Sequence, residues 1–238
     1  MDITSPVRAI IYDCGNTLLY AHPSIEEICR MLELEHGHRL DAKAFQNALP
    51  DWGAMYYRSI GGMYMSDVDV RAGWAEHYGA AVAQVLAVAP AEAVEVGGLI
   101  YDWFAHPARW TPYPDVVPTL AEAKRRGYIQ GVVSDWGSDL HGILVGHDLT
   151  KYLDFVVASA VVRVAKPHSD LFAQALQRAG VAADEALYVG DSYVADVIGA
   201  RTAGLRAVLI DREGKAPPVD CDVVRSLEEV LALAGACA

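Results

Sequence analysis

A short apolar run near the start of the chain restricts the possible folds more than any other stretch. The run Ala9–Tyr12 consists of apolar and β-favouring residues and leads directly into Asp13. A continuous run of this kind is typical of a strand that is buried on both faces. Gly15 and Asn16 follow, and both tolerate backbone angles that other residues resist, so the chain can turn sharply here. Asp13 is therefore either a simple strand end or a functional carboxylate at the edge of a sheet.

Five predicted strands are separated by predicted helices, and this alternation indicates the fold class. Alternating strands and helices produce a parallel sheet with right-handed crossovers. We therefore predict an α/β fold with a Rossmann-like parallel-sheet core. Pro167 is expected in the first turn of one helix, a position that proline favours. The predicted strands are Val7–Asp13, Tyr128–Ser134, Phe155–Ser159, Ala186–Val189 and Arg206–Ile210, and the predicted helices are 115–126, 138–147, 167–179, 192–203 and a last one that opens at Ser226.

Residues 20–106 contain no convincing strand and are predicted to be helical. Ser24 and Glu27 have the spacing of a capping box, which marks a helix start, and Gly37 is expected to end that helix. The helical stretch is therefore an insertion between the first and the second strand of the sheet. Further helices are predicted at 42–59, 67–87 and 91–104, followed by a proline-rich boundary at 107–114.

The charge and the cysteine content exclude several classes of protein. The formal net charge is −12 and no basic stripe is present, so neither nucleic acid nor a membrane surface is an expected partner. The four cysteines lack CxxC spacing, which predicts neither a zinc site nor a disulfide framework. A reduced, cytoplasmic compartment is the simplest interpretation. We expect no signal peptide and no membrane-spanning segment.

Five polar side chains lie near the ends of the predicted strands. Asp13 follows the first strand, Ser134 ends the second, Lys166 precedes a helix, and Asp191 and Asp196 follow a later strand. The carboxyl ends of parallel strands share one edge of a sheet, so these groups are expected to converge. Three converging carboxylates repel one another. A magnesium ion, which prefers oxygen ligands, would resolve that repulsion.

The same side chains suit phosphate chemistry. The hydroxyl of Ser134 and the ammonium of Lys166 can bind phosphate oxygens, and a helix start after Lys166 would add partial positive charge. A carboxylate can attack phosphorus to form an aspartyl-phosphate, while a metal ion and Lys166 stabilise the transferring group. Simpler interpretations exist, because Ser134 and Asp191 could cap helices and a Lys-Pro pair is common in surface loops. The ordered set favours an active site.

Taken in order, these stretches resemble the motifs of the haloacid dehalogenase superfamily of hydrolases over most of the chain. Ile11–Leu18 is similar to the first motif, Ser134 to the second, Lys166-Pro167 to the third and Gly190–Asp196 to the fourth. The helical insertion resembles the cap of the subfamily that has α-helical caps. The resemblance thus implies a core formed by residues 1–19 and 107–238 and a helical cap formed by residues 20–106.

The resemblance also implies roles for the matched residues. Asp13 would be the catalytic nucleophile, and Ser134 and Lys166 would bind the phosphoryl oxygens and assist the reaction. Asn16 would contribute to substrate binding. The implied substrate is a small phosphorylated metabolite. The implied magnesium ligands are Asp13, the backbone carbonyl of Gly15, Asp191 and Asp196.

One position departs from this family pattern. Phosphatases of the superfamily usually carry a second aspartate two residues after the nucleophile, where it serves as the general acid/base, but this chain has Gly15 there. General acid–base catalysis is typically worth about 100- to 10,000-fold in rate. Hydrolysis is therefore expected to be slow or restricted to esters with good leaving groups. Candidates for a surrogate acid are His22, Tyr56, Tyr57 and Asp135.

This departure leaves alternatives to a magnesium-dependent phosphatase. A phospho-ligand binder with little or no activity is the second hypothesis. Dehalogenases of the superfamily also lack the second aspartate, but they need no magnesium, and Asp191 and Asp196 would repel the carboxylate of a haloacid. Phosphonatases use a cap lysine as a Schiff base. Lys43 is the only lysine within 20–106 and is interpreted more simply as a solvated residue.

Overall fold

A six-stranded parallel sheet forms the centre of the fold, and two further strands form a separate antiparallel ribbon. The structure is a computed structural model that describes residues 5–50 and 66–236. The strands are β1 Ala9–Tyr12, β2 Leu19–Ala21, β3 Trp110–Pro112, β4 Ile129–Ser134, β5 Phe155–Ala158, β6 Ala186–Gly190, β7 Arg206–Ile210 and β8 Val223–Val224.

The strand order of the large sheet is β5-β4-β1-β6-β7-β8, so β1 lies between β4 and β6. Tyr12 of β1 pairs with Val132 on one side and with Val189 on the other. All four residues of β1 are fully buried, as expected for an apolar run covered on both faces. Every pairing in this sheet is parallel. The carboxyl ends of β1, β4 and β6 therefore share one edge, and the predicted α/β fold is confirmed.

Helices cover both faces of the sheet and also form a separate group. Those in the described residues are α1 Ile25–His36, α2 Ala42–Ala48, α3 Asp67–Val85, α4 Pro90–Phe104, α5 Val116–Arg125, α6 Leu140–Gly146, α7 Ser159–Val162, α8 Ser169–Ala179, α9 Gly199–Thr202 and α10 Leu227–Ala236. Ile10 and Tyr12 belong to one hydrophobic cluster with residues of α5, α6 and α10. Ile11 belongs to a second cluster with residues of α8 and α9. The alternation of side chains along β1 thus produces two layers around the sheet.

The helices α1 to α4 share a hydrophobic cluster that is separate from the two clusters of the sheet. Its buried members include Leu32 of α1, Phe45 of α2 and Ile100 of α4, each of which is fully buried. This group therefore has a core of its own. Within the ranges 5–50 and 66–236, none of the helices is both long enough and apolar enough to cross a membrane.

The helix predicted at 42–59 is wrong in its length. In the structure α2 ends at Ala48, and Leu49 already has an extended backbone. Pro50 explains this end, because proline disfavours helical backbone angles in the residue before it. The part of the prediction from residue 51 onward lies outside the described residues.

Two predicted helices near the sheet edge differ in detail. The prediction that Pro167 occupies the first turn of a helix is wrong, because α8 begins at Ser169. The Nδ1 atom of His168 accepts the N–H of Asp170 at 3.2 Å and caps the helix start. The helix predicted at 192–203 is divided into a π-helical segment, Tyr193–Ile198, and the short α9.

Three short strands, β2, β3 and β8, were not predicted from the sequence. The prediction that 20–106 contains no strand is therefore wrong at residues 20 and 21, which belong to β2. Leu19 pairs with Pro112 and Ala21 pairs with Trp110, which makes β2 and β3 a ribbon at the two points where the chain enters and leaves the helical stretch. β8 extends the large sheet beside β7. Strands of two or three residues carry too few side chains to show a periodicity of their own.

The closest backbone approach between α3 and α4 depends on Gly97. A Cβ atom at Gly97 would lie 2.1 Å from the carbonyl oxygen of Ala75, which no relaxation of a side chain can relieve. We expect Gly97→Ala to lower the free energy of unfolding by about 3 kcal/mol, measured by urea denaturation. Gly73 is the matched control, because it also lies in a helix but has nothing within 4 Å of the added atom. Gly73→Ala is expected to raise stability by up to about 1 kcal/mol; equal effects of the two substitutions would contradict the argument.

Candidate active site

The carboxylate of Asp13 is the centre of a buried polar cluster at the carboxyl edge of the sheet. Its Oδ1 atom accepts hydrogen bonds from the Ser134 hydroxyl at 2.8 Å and from the Lys166 ammonium at 2.6 Å. Asp13 directly follows β1 and Ser134 ends β4, so the parallel pairing of these strands brings the two together. All three residues are at most 4% exposed. The predicted convergence of these three groups is therefore present.

Asp196 reaches the same cluster because the chain after β6 bends back over a glycine. The Lys166 ammonium also donates to Oδ1 of Asp196 at 2.6 Å. A Cβ atom at Gly190 would lie 2.2 Å from the Asp196 carboxyl carbon, so only glycine permits this close approach. The Ser192 N–H donates to Oδ2 of Asp196 at 2.9 Å. The wider π-helical turn after Ser192 carries Asp196 inward, where it is 1% exposed.

Tyr188 supports this arrangement from within the sheet, and sequence reasoning did not identify it. Its hydroxyl lies 2.9 Å from the carbonyl oxygen of Val133 and 3.1 Å from Oδ1 of Asp196. The sequence contains one indication of this role. Tyr188 lies two residues before Gly190, so both residues are on the same face of β6. Tyr188 is fully buried, so the phenol fixes one oxygen of Asp196 beside Lys166.

The cluster combines one buried cation with several carboxylates. Burial alone would lower the pKa of Lys166, but the negative charges of Asp13 and Asp196 hold that pKa well above its ordinary value. Lys166 is therefore an ammonium at neutral pH. The protein atoms packed around Asp191 and the charges of Asp13 and Asp196 raise its pKa to about 7, although its side chain is still exposed to solvent. The single ammonium does not balance the three carboxylates of Asp13, Asp191 and Asp196.

The three carboxylates fit a divalent cation. Asp13, Asp191 and Asp196 each offer an oxygen, and these oxygens all lie within 4.8 Å of one another. Magnesium prefers hard oxygen ligands and retains several waters, so a few carboxylates around an open cavity suit it. The oxygen donors and the excess of negative charge both fit such an ion.

The turn after Asp13 brings Gly15 and Asn16 to the same edge. Asn16 has a left-handed backbone with a φ of 53°, which asparagine tolerates better than most residues. Its Nδ2 atom donates to Oδ2 of Asp191 at 3.3 Å. Gly15 does not have a positive φ, and a Cβ atom there would have one neighbour within 4 Å, Cζ3 of Trp136 at 3.6 Å. The indole of Trp136 thus lies beside the position at which the family resemblance led us to expect an aspartate, a contact that no local sequence pattern indicates.

A cavity of about 620 Å³ opens above these groups. Its floor contains the polar cluster together with Gly15 and Asn16, and side chains of α3 and α4 contribute to its walls. Of the proposed surrogate acids, Asp135 lines the cavity, whereas His22 is exposed and is not among the lining residues. Tyr56 and Tyr57 lie outside the described residues. Lys43 is exposed on α2 and is also absent from the described lining.

A parallel α/β sheet with an aspartate, a serine and a lysine converging beside an acidic cluster defines a class of hydrolases. The comparisons with known proteins give the family. A family model described as haloacid dehalogenase-like hydrolase matches residues 7–204. This chain belongs to the haloacid dehalogenase-like hydrolase family, as its motifs predicted. A relative in Danio rerio, haloacid dehalogenase-like hydrolase domain-containing protein 3, is 32% identical over 94% of this chain and 95% of its own length.

Two further comparisons concern named phosphatases. The phosphoserine phosphatase of Thermus thermophilus is 41% identical over 111 residues, which is 46% of this chain and 45% of that protein. A crystal structure of a phosphatase of this superfamily from Thermococcus onnurineus has a TM-score of 0.67 and 24% identity, and the match covers 96% of this chain and 98% of the other. The structural likeness supports the fold. The sequence comparisons support the class of enzyme, a hydrolase with phosphatases among its relatives.

Proposed function

We propose that this chain is a magnesium-dependent phosphatase that hydrolyses a small phosphorylated metabolite through an aspartyl-phosphate. The observation that carries the proposal is the shared contact of Ser134 and Lys166 with one oxygen of Asp13. Both donors lie next to the carboxylate that would bond to phosphorus, so they can also bind the oxygens of the phosphoryl group. The phosphatases among the relatives support the same class of reaction.

The proposed reaction has two steps. An oxygen of Asp13 bonds to phosphorus while the bond from phosphorus to the ester oxygen breaks, and the bonding electron pair leaves with that oxygen. Water then attacks phosphorus, the bond to Asp13 breaks, and inorganic phosphate departs while the water proton passes to solvent. Lys166 and Ser134 stabilise the charge on the phosphoryl oxygens in both steps. Asn16 contributes to substrate binding from the turn after the nucleophile.

The proposed magnesium ligands are Asp13, the backbone carbonyl of Gly15, Asp191 and Asp196. When bound, the ion would neutralise charge on the phosphoryl group. The proposal also divides the chain into a core of residues 1–19 and 107–238 and a helical cap of residues 20–106. The separate hydrophobic cluster of α1 to α4 supports that division. A reducing, cytoplasmic setting is part of the proposal, because Cys14, Cys29 and Cys221 are free thiols.

Removal of magnesium tests the proposed metal site by activity and by stability. EDTA is expected to lower the hydrolysis of p-nitrophenyl phosphate by about 100-fold or more, because a catalytic metal ion contributes several kcal/mol. Saturating Mg²⁺ is expected to raise the midpoint of thermal unfolding by about 5 °C, since a ligand at 100 times its Kd adds about 2.7 kcal/mol. Asp191→Asn should abolish most of this shift. Asp184→Asn, the same change at an exposed residue that does not line the cavity, should keep it.

The lack of an acid at Gly15 specifically favours a second candidate, a phospho-ligand binder with little activity. Thermal stabilisation by inorganic phosphate without any turnover of p-nitrophenyl phosphate would support the phospho-ligand binder and contradict the proposed phosphatase function. Halide release from 2-chloropropionate that EDTA does not affect would instead support a dehalogenase. Magnesium-dependent turnover supports the proposal made above.

A further inference from the structure

We propose that the cavity selects phosphate monoesters of phenols, whose leaving oxygen departs without receiving a proton from the protein. This inference rests on the proposed phosphatase function and names the class of substrate. Two independent observations carry it: the surroundings of Gly15, where the described residues place an indole and no acidic group within 4 Å of an added Cβ atom, and the aromatic character of the cavity wall above it.

The space beside Gly15 is bordered by the indole of Trp136, which is held from several sides. Its Nε1–H donates to Oδ2 of Asp139 at 3.2 Å, and its backbone N–H donates to the Ser159 hydroxyl at 3.1 Å. Its ring lies 4.5 Å from the ring of Trp110, centroid to centroid. An indole N–H is a donor of hydrogen bonds and not an acid, so Trp136 cannot protonate a leaving oxygen.

The two side chains that donate hydrogen bonds to the nucleophile are already engaged. The Lys166 ammonium donates to Asp13 and Asp196, and the Ser134 hydroxyl donates to Asp13. Oδ1 of Asp135 accepts the backbone N–H of Lys166 at 3.0 Å, which favours its ionised form. Burial nevertheless raises the pKa of Asp135 to about 7. Among the described residues, Asp135 is the predicted surrogate acid that lines the cavity, so an experiment must test it.

The wall above the polar cluster is aromatic. Rings from α3, α4 and β3 contribute to it, and in the described residues Lys166 is the only cationic side chain in the lining. A planar aromatic leaving group can pack against such rings, which prefer offset or edge-to-face contacts with one another. The lining holds five aspartates and one lysine among the described residues, which disfavours a leaving group that carries a carboxylate. The aromatic residues of the described lining are Trp74, Tyr78, Tyr101, Phe104, Trp110, Trp136 and Tyr193.

The aromatic wall and the lack of an acid at Gly15 both favour an aryl ester. As the bond from phosphorus to the ester oxygen breaks, the electron pair stays on that oxygen, and without an acid the oxygen leaves as an anion that takes a proton from solvent afterwards. A phenolic oxygen, with a pKa near 10 as in tyrosine, carries this charge far better than an alkyl oxygen, whose pKa is close to that of water, about 16. An aryl ester thus needs no proton donor at Gly15.

A comparison of phenyl phosphate with benzyl phosphate separates the effect of the leaving group from the effect of the aromatic ring. Both esters carry one ring, but only phenyl phosphate releases a phenolate. In saturating Mg²⁺ we expect kcat/KM for phenyl phosphate to exceed that for benzyl phosphate by about 100-fold or more, the range that general acid catalysis would otherwise supply. Butyl phosphate has an alkyl leaving oxygen like benzyl phosphate but no ring. A higher KM for butyl than for benzyl phosphate is expected from the aromatic wall.

Gly15→Asp tests the same inference from the protein side. The added Cβ atom has ordinary contact distance to Trp136, and the backbone of Gly15 is not left-handed, so the position accepts a β-carbon without a clash. The introduced carboxylic acid is expected to raise kcat/KM for benzyl phosphate by about 10-fold or more relative to kcat/KM for phenyl phosphate, so the ratio between the two esters shrinks. Gly15→Asn is the matched control, because it adds a side chain of the same size that cannot donate a proton as an acid, and it should leave the ratio large.

The possible results distinguish this inference from the proposed function. Comparable kcat/KM values for phenyl and benzyl phosphate in the unaltered protein would overturn the inference and leave the phosphatase standing. If the ratio of kcat/KM for phenyl phosphate to kcat/KM for benzyl phosphate were close to one in the unaltered protein and became large in Asp135→Asn, Asp135 would be the surrogate acid. The inference would then be wrong. Absence of magnesium-dependent hydrolysis for every ester would remove the proposed function and, with it, the inference.

Discussion

Asp13→Asn is expected to lower the turnover of p-nitrophenyl phosphate by at least about 10,000-fold, because removal of a nucleophile abolishes the covalent route. An amide oxygen is a far weaker nucleophile than a carboxylate, although the side chain keeps its size. Ser134 and Lys166 can still donate to an amide oxygen at the place of Oδ1, so we expect the surrounding fold to persist. The measurements are kcat in saturating Mg²⁺ and thermal unfolding of the same preparation.

Asp184→Asn provides the matched control for this loss. Asp184 is exposed in the turn before β6, at the opposite end of the strand from the active site, where it accepts the Ser5 hydroxyl at 2.6 Å. Its substitution is expected to change turnover by no more than about twofold. Acid quenching during turnover should trap a phosphorylated protein that Asp13→Asn cannot form. A folded Asp13→Asn variant that retained more than about 1% of the activity would contradict the assignment of the nucleophile.

Two features made part of the site predictable from the sequence. These are the apolar runs that end at polar residues and the parallel pairing of the strands that those runs form. An apolar run that ends at Asp13, another that ends at Ser134 and a third that ends at Gly190 are visible in the sequence. Once the strands are parallel, their ends must meet at one edge. Local chemistry was equally informative at the start of α1, where the Ser24 hydroxyl accepts the Glu27 N–H at 3.3 Å, as its capping box predicted.

The parts that sequence could not predict depend on contacts between distant residues. Nothing local indicates that Trp136 lies against Gly15, because that contact depends on how the loop after β4 folds over the loop after β1. The contact between the Tyr188 hydroxyl and Asp196 could not be predicted either. It depends on the π-helical turn that carries Asp196 inward. The ribbon of β2 and β3 joins segments far apart in the chain, and each is too short to reveal itself.

Lys166→Met is expected to lower the free energy of unfolding in EDTA by about 3–5 kcal/mol, because it leaves buried carboxylates without their cation. Lys166 is 4% exposed and bridges Asp13 and Asp196 at 2.6 Å each. Bound Mg²⁺ would supply part of the missing positive charge, so the loss should be smaller when the ion is present. Phosphatase activity should fall by about 100-fold or more in either condition, since the ammonium also stabilises the phosphoryl oxygens.

A double-mutant cycle separates the buried ion pair from general damage to the fold. If the charge of Asp13 is what destabilises Lys166→Met, then Asp13→Asn/Lys166→Met should recover at least about 1 kcal/mol relative to the sum of the single effects while remaining inactive. Lys151→Met is the matched control, because Lys151 pairs with Asp148 on the surface, where solvent screens the pair, and its loss should change stability far less than Lys166→Met. Urea denaturation in EDTA measures all four variants. Additive single effects, or equal losses at Lys166 and Lys151, would mean that the Lys166 ammonium does not hold the carboxylate cluster together.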